Sequence, residues 1–341
     1  MLSPIRIQLA LAAVALSLAS CATDRQVIQQ AEDTHAQLKP AVMDDSELFD
    51  YLKSMGDRIV EAAKELDAEH FGPTSHFEKN ESNDWMFSKE EFHLVNSKTL
   101  NAFTTGGEHL YIYAELMQKC RTEDELASVM SHEYGHVYAR HVAKGMDRQY
   151  LGYGVAAAGA GAGYAVGGKK HGAEGAAIGG SLGLVGGQFL SLGYTREDEA
   201  QADELGFAFY TRAGWDPAKF GDFFQQMIDM GYDTTPAYMS DHPTLKSRVD
   251  AAKKRAAALP PDAAKEKKPP IADAAKFAEL KKHAAEVGKK MPTDEQLKKA
   301  QTLLAAVPSC LLPVDQPEQK AAQEKLREAV AAEQNASQSA K

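Results

Sequence analysis

Two histidines one helical turn apart, with a glutamate directly after the first, are the residues of this chain best suited to chemistry: His132-Glu133-Tyr134-Gly135-His136. Leu126, Val129, Met130 and Val137 recur around them at helical spacing, and Thr122 with Glu125 three residues on reads as a capping box. On such a helix His132 and His136 point the same way, so two imidazoles can hold one metal ion. Glu133 is rotated by about 100° from His132, close enough to hold a water beside the ion without ligating it. Two nitrogens and a base are the start of a hydrolytic zinc site with one zinc per chain.

A third ligand must come from elsewhere. The metzincin-type extension needs glycine at 139 and histidine at 142, and Ala139 and Val142 rule it out. A second acidic helix is predicted from Thr195, an N-cap whose box is completed by Asp198. Glu199 and Asp203 share one face of it at i and i+4. Glu199 is expected as the third ligand, and Asp203 as the acceptor for the other N–H of a ligand histidine.

These motifs, with Ala139-Arg140-His141 after the histidines, Asn101-Ala102-Phe103 upstream and Asp241-His242-Pro243 leading to Arg248, resemble the HtpX/BepA/LoiP-type zinc metallopeptidases. That gluzincin group also holds the CAAX prenyl proteases and the mitochondrial Oma-type protease. The likeness spans roughly residues 45–258. It implies an α+β, mainly helical, zincin-like domain with a small sheet beside the zinc helix and a helical C-terminal tail. It also implies Zn2+ on His132, His136 and Glu199, with Glu133 as general base and Asp203 behind a ligand. His242 would face the metal and steady an oxyanion, and Arg248 would be structural. Asn101, Ala102 and Phe103 would form a strand edge that binds substrate backbone.

The elements that must position these residues follow in order. Residues 1–20 carry Arg6, then a short apolar run and Leu18-Ala19-Ser20-Cys21, a lipoprotein signal peptide with Cys21 as the lipidated N-terminus. No aspartate follows Cys21, so the resemblance implies an outer-membrane lipoprotein facing the periplasm of a Gram-negative bacterium. Residues 21–45 are expected as a polar helix and linker. Residues 46–258 form the peptidase domain, opened by a stripe of Leu48, Phe49, Leu52, Met55, Ile59, Val60 and Leu66.

Strands are predicted at 85–87, 91–95, 101–103 and 109–113, with a turn at Gly106-Gly107. His93 and His109 read as packed strand histidines. Residues 151–193 are rich in Gly and Ala, with glycine recurring every fourth position, and fit a close-packing hairpin or an active-site flap equally well. After Trp215, Pro217 is expected to start a helix packed through Phe220, Phe223, Phe224, Met227 and Ile228. From 259 to 341 the composition shifts to Ala, Lys, Glu, Gln and Pro, a helical to disordered tail without a repeat pattern.

Of three cysteines, Cys21 is used by lipid, which leaves Cys120 and Cys310 as a disulfide in an oxidising compartment or, equally, as two unrelated buried thiols. The net charge of −10 argues against nucleic acid as partner. No Walker loop and no G-x-G-x-x-G is present. The expected protein is therefore a zinc endopeptidase acting on misfolded or outer-membrane polypeptides, with outer-membrane assembly machinery as a further partner. The competing expectation is a periplasmic chaperone or assembly factor with a gated zinc site.

Overall fold

The computed structural model describes residues 24–71, 85–148, 193–232, 243–260 and 267–311, with positions 321, 322 and 324. After α1 (Asp24–Leu38), α2 (Ser46–Phe71) and α3 (Ala114–Lys119) comes the central pair of helices, α4 (Glu123–Tyr138) and α5 (Arg196–Ala213), on which α2 packs. A sheet of β1 (Glu91–Val95), β2 (Ala102–Thr104) and β3 (His109–Tyr113) lies beside α4. Helices α6 (Asp222–Asp229), α7 (Leu245–Ala258), α8 (Ala274–Lys290) and α9 (Glu295–Ala306) complete it. The architecture is α+β and mainly helical, as the sequence predicts.

Local chemistry sets the helix ends. Thr122 accepts from the Glu125 amide to start α4, satisfying a donor that has no partner within the helix. The Glu125 carboxylate goes to Arg121 and not back to the cap, so the box predicted there is half formed. At α5 the box is complete between Thr195 and Asp198, and the helix stops where Gly214 takes a left-handed φ of 95°. Asp216 caps a short 3-10 turn, Pro217–Lys219, and α6 begins only at Asp222, later than Pro217 suggested.

The sheet order is β1-β3-β2, with β1 parallel to β3 and β2 antiparallel to it. Gly106, at φ 73°, turns the chain between β2 and β3 as the Gly-Gly pair suggested. Residues 85–87 are a 3-10 turn and not a strand, and this turn packs Trp85 and Met86 into the core. In α2, Leu48, Leu52, Met55 and Ile59 are buried as expected, but Phe49 is 42% exposed and faces away from that stripe.

The C-terminal residues were expected as an appendage. Instead Phe277 and Leu280 of α8 and Leu297, Leu303 and Leu304 of α9 join the same core as α2, α4 and α5. Glu123, at the start of α4, ties these parts together. Its carboxylate accepts from Trp215 Nε1 and from the backbone amides of Ile271 and Ala272. Four such bonds, counting Tyr51, make a buried carboxylate tolerable away from water. Helix α1 likewise packs, burying Val27, Ala31, Thr34 and Leu38. Among the described residues no helix is long and apolar enough to cross a membrane. Cys21 and the Gly/Ala-rich segment 151–193, apart from its last residue, lie outside the described residues.

Candidate metal centre

Close approach of α4 and α5 builds the site, and two glycines permit it. A Cβ on Gly206 would lie 2.9 Å from the backbone of His132, and one on Gly135 2.9 Å from the Ala202 carbonyl oxygen. Side chains at either position would push the helices apart, so α5 can deliver Glu199 to the histidines of α4 only because these two are glycine.

The delivered atoms form a compact triangle. His132 Nε2 and His136 Nε2 are 3.1 Å apart. The two Glu199 carboxylate oxygens lie 3.5 Å and 3.7 Å from them. Zinc bonds of about 2.0–2.1 Å in a tetrahedron place ligand atoms about 3.3 Å apart, so the donor set fits that ion. The expected trio therefore converges with Cys310, and Glu133, fully buried, is hydrogen-bonded to that cysteine beside it.

Each ligand histidine is oriented from behind. His132 Nδ1 faces Asp203 Oδ1 at 2.9 Å, which leaves Nε2 for a metal. Asp203 in turn accepts both Arg248 Nε, at 2.9 Å, and Arg248 Nη2, at 2.6 Å. Burial opposes ionisation of Asp203, but Arg248 and His132 outweigh it and hold the carboxyl below its usual range. His136 Nδ1 lies 2.9 Å from His141 Nδ1, and His141 Nε2 lies 2.9 Å from Gln201 Oε1. Arg140 makes this possible by adopting a left-handed φ of 58°, with its guanidinium paired to Asp24, so that His141 folds back beneath His136. Tyr194 stacks on the other face of the His136 ring, centroids 3.7 Å apart.

The electrostatics favour a cation here. Burial and Arg248 oppose a charge on His132, yet the Asp203 and Glu199 carboxylates raise its pKa to about 9. Burial and the neighbouring His132 push His136 the opposite way. Burial also raises the Glu133 carboxyl, the direction that brings a general base toward neutral pH.

The family comparison decides the class at this point, since the model of peptidase family M48 matches residues 81–256, which include His132, Glu133, His136, Glu199 and Arg248. The chain belongs to peptidase family M48. It is 27% identical to the beta-barrel assembly-enhancing protease of Escherichia coli (strain K12) over 224 residues, 64% of this chain and 41% of that protein. It is 27% identical to metalloprotease LoiP of the same strain over 167 residues, 49% of this chain and 63% of LoiP. Against the mitochondrial metalloendopeptidase OMA1 of Arabidopsis thaliana, identity is 24% over 225 residues, 66% of this chain and 40% of that one. The chain thus spans about two fifths of the length of the first of these relatives. As an M48 member its class is metallopeptidase.

Other expected site residues fare differently in this M48 chain. His242 lies outside the described residues. Asn101, Ala102 and Phe103 do lie at the outer strand of the sheet, but all three are buried, and Asn101 Nδ2 donates to the carbonyls of Val307 and Pro308. The expected Cys120–Cys310 disulfide is not formed. Cys120 caps α3 as a buried free thiol, while Cys310 enters the metal centre and donates to Glu133 Oε1 at 2.7 Å. A sulfur already held at Glu133 is not free to reach α3.

Cys310 is thus a residue of the donor cluster that the sequence reading missed. It shares one ligand-sized group with His132, His136 and Glu199, all four within 4.8 Å. Its carbonyl accepts from Arg248 Nη1. Neither signal is local in sequence, because Cys310 sits in a plain Val-Pro-Ser-Cys-Leu-Leu segment far downstream of Glu199.

Proposed function

We propose that this chain is a zinc-dependent endopeptidase of the bacterial envelope, anchored to the outer membrane through lipidated Cys21 and facing the periplasm. The observation that carries the catalytic part is the His132–His136–Glu199 triangle, of zinc dimensions, with buried Glu133 at its side. Zinc bound there would supply Lewis acidity toward the scissile carbonyl and acidify the attacking water. Glu133 takes the proton of that water and returns it to the leaving amine. Asp203 and His141 hold the two imidazoles in the tautomers that present Nε2. His242 is assigned to the oxyanion.

The substrates are extended stretches of misfolded or outer-membrane polypeptides. Support comes from β2, an outer strand beside α4 that can accept a peptide as an added strand. The relatives named for assembly enhancement of β-barrels support a place in outer-membrane protein quality control. Removal of metal by a chelator should abolish casein cleavage by the purified protein, and stoichiometric Zn2+ should restore it. Cleavage that survives complete metal removal contradicts the assignment.

A second reading, a gated peptidase, is favoured by the C-terminal segment. Residues 307–311 run past the β2 end and across the metal centre, pinned by Asn101, Arg248 and Glu133. His132, Glu133, His136 and Glu199 are all 0% exposed under it. In that arrangement no peptide reaches Glu133. The segment closes the approach to Glu133 through these contacts, so it holds the enzyme at rest until it is displaced.

A further inference from the structure

A second group of metal-type side chains lies on the sheet, apart from every residue assigned above. In the parallel pairing of β1 with β3, Glu91 stands beside His109 and His93 beside Tyr111. Side chains alternate along a strand, so Glu91, His93, His109 and Tyr111 share one face. Helix α1 covers that face and brings Glu32 and His35, one turn apart.

Three of the donors, on His93, His109 and Glu91, lie close together. His93 Nε2 and His109 Nδ1 are 2.9 Å apart. Glu91 Oε2 lies 3.6 Å from the first and 3.9 Å from the second. A ring nitrogen of His35 falls within 4.8 Å of those of both other histidines. The His93, His109 and Glu91 donors match the 3.1–3.7 Å edges of the first centre to within a few tenths of an ångström, whereas the His35 ring is stacked on His109, centroids 4.1 Å apart, and turns about its side-chain bonds to join them.

We propose that His35, His93 and His109, with the Glu91 carboxylate, form a second cation site that takes one divalent transition metal of the zinc, cobalt or nickel class. Three imidazoles select such ions over calcium or magnesium, which take oxygen donors. The outer contacts have the form that orients ligand histidines. Glu32 Oε1 lies 3.2 Å from His109 Nε2, fixing the tautomer that presents Nδ1. The Tyr111 hydroxyl lies 2.9 Å from His35 Nδ1, leaving Nε2 to ligate.

Two of the rings, His35 and His93, are held neutral, as a ligand must be. Burial and the neighbouring His109 lower His35 to about 4, against the opposing charge of Glu32, and burial with His35 and His109 lowers His93 to about 3. A cation here would fasten α1 to the sheet that flanks the zinc helix. The competing arrangement is a packed histidine network closed by the His93–His109 hydrogen bond alone.

The test is zinc stoichiometry of the full chain, measured by mass spectrometry of the metal after equilibrium dialysis of stripped protein against Zn2+. Wild type should bind two ions, a His132→Ala/His136→Ala variant one, and a His35→Gln/His93→Gln variant one. With Co2+ in place of Zn2+, the His132→Ala/His136→Ala variant should keep a visible band and a metal-dependent rise in Tm. Both should vanish when His35→Gln is added. Circular dichroism confirms that each variant is folded. If the His132→Ala/His136→Ala variant does not fold, the His35→Gln/His93→Gln variant decides, because it must lose one of two ions. A wild type whose bound ion or ions all persist in the folded His35→Gln/His93→Gln variant overturns the proposal. Loss of metal from the first centre alone would leave the second ion in place, so the two assignments fail separately.

Discussion

Cys310 Sγ lies 2.7 Å from Glu133 Oε1, so the thiol of the C-terminal segment donates to the residue assigned as general base. While that bond stands, the carboxylate is occupied and the segment excludes substrate. Truncation after Ala306, or Cys310→Ser combined with Pro308→Gly to loosen the segment, should therefore raise the initial rate of casein cleavage. The truncation keeps α9 and its core leucines. Equal or lower rates in a folded truncation variant would show that the segment supports the site and does not gate it.

The α4–α5 crossing is equally exposed to a single change. Gly206→Ala places a methyl 2.9 Å from the His132 backbone, and such overpacking costs about 1–3 kcal/mol. The helices must separate to accept it, so zinc affinity should fall together with Tm. Gly231→Ala, where a Cβ meets nothing within 4 Å, tests backbone strain without crowding, since its φ is 83°. It should lower Tm and leave zinc binding unchanged, measured by denaturation and metal competition.

Arg248 was expected as structural, and it is so in a specific sense. Its bidentate pair with Asp203 is buried, and Asp203 orients His132. Arg248→Ala leaves a buried carboxylate without its countercharge, a change that costs about 3–5 kcal/mol. Asp203→Asn should instead spare much of the fold and lower zinc affinity by about 10–100-fold. Calorimetry and zinc competition separate the two effects. Unchanged zinc affinity in Asp203→Asn would remove its role behind His132.

Acid stability reports on the histidine cluster of α1 and the sheet. His35 and His93 stay neutral in the folded chain down to about pH 4 and about pH 3, whereas their ordinary value is 6.5. Below pH 6.5 the unfolded chain binds these protons and the folded chain does not, so folding free energy falls as pH drops through that window. In metal-free protein, His35→Gln should flatten the decline of denaturation midpoint below pH 6.5. An unchanged slope would mean that His35 is protonated in the fold.

Much of the metal centre was legible because it is local. His132, Glu133 and His136 declare themselves by helical spacing, and Glu199 and Asp203 by sharing a face behind a Thr195–Asp198 cap that the structure completes. The β2–β3 hairpin followed from the Gly106-Gly107 turn, whereas the edge position of β2 was what the resemblance implied. What stayed hidden depends on contacts between distant segments. Nothing near Cys310 in the chain indicates that α9 returns it to Glu133, and cysteine pairing by parity pointed to Cys120 instead. His141 was noticed as part of a motif, but its support of His136 required the left-handed turn at Arg140. His93 and His109 looked like packed strand residues because their parallel register, and the return of His35 over them, lie outside any periodicity.

The most direct measurement is casein cleavage by Glu133→Gln beside wild type, with bound zinc determined in both. The amide keeps the shape of the side chain and removes its basicity. The account predicts zinc retained on His132, His136 and Glu199 in both proteins and cleavage by wild type alone. Turnover by a zinc-loaded Glu133→Gln protein at the wild-type rate would contradict it.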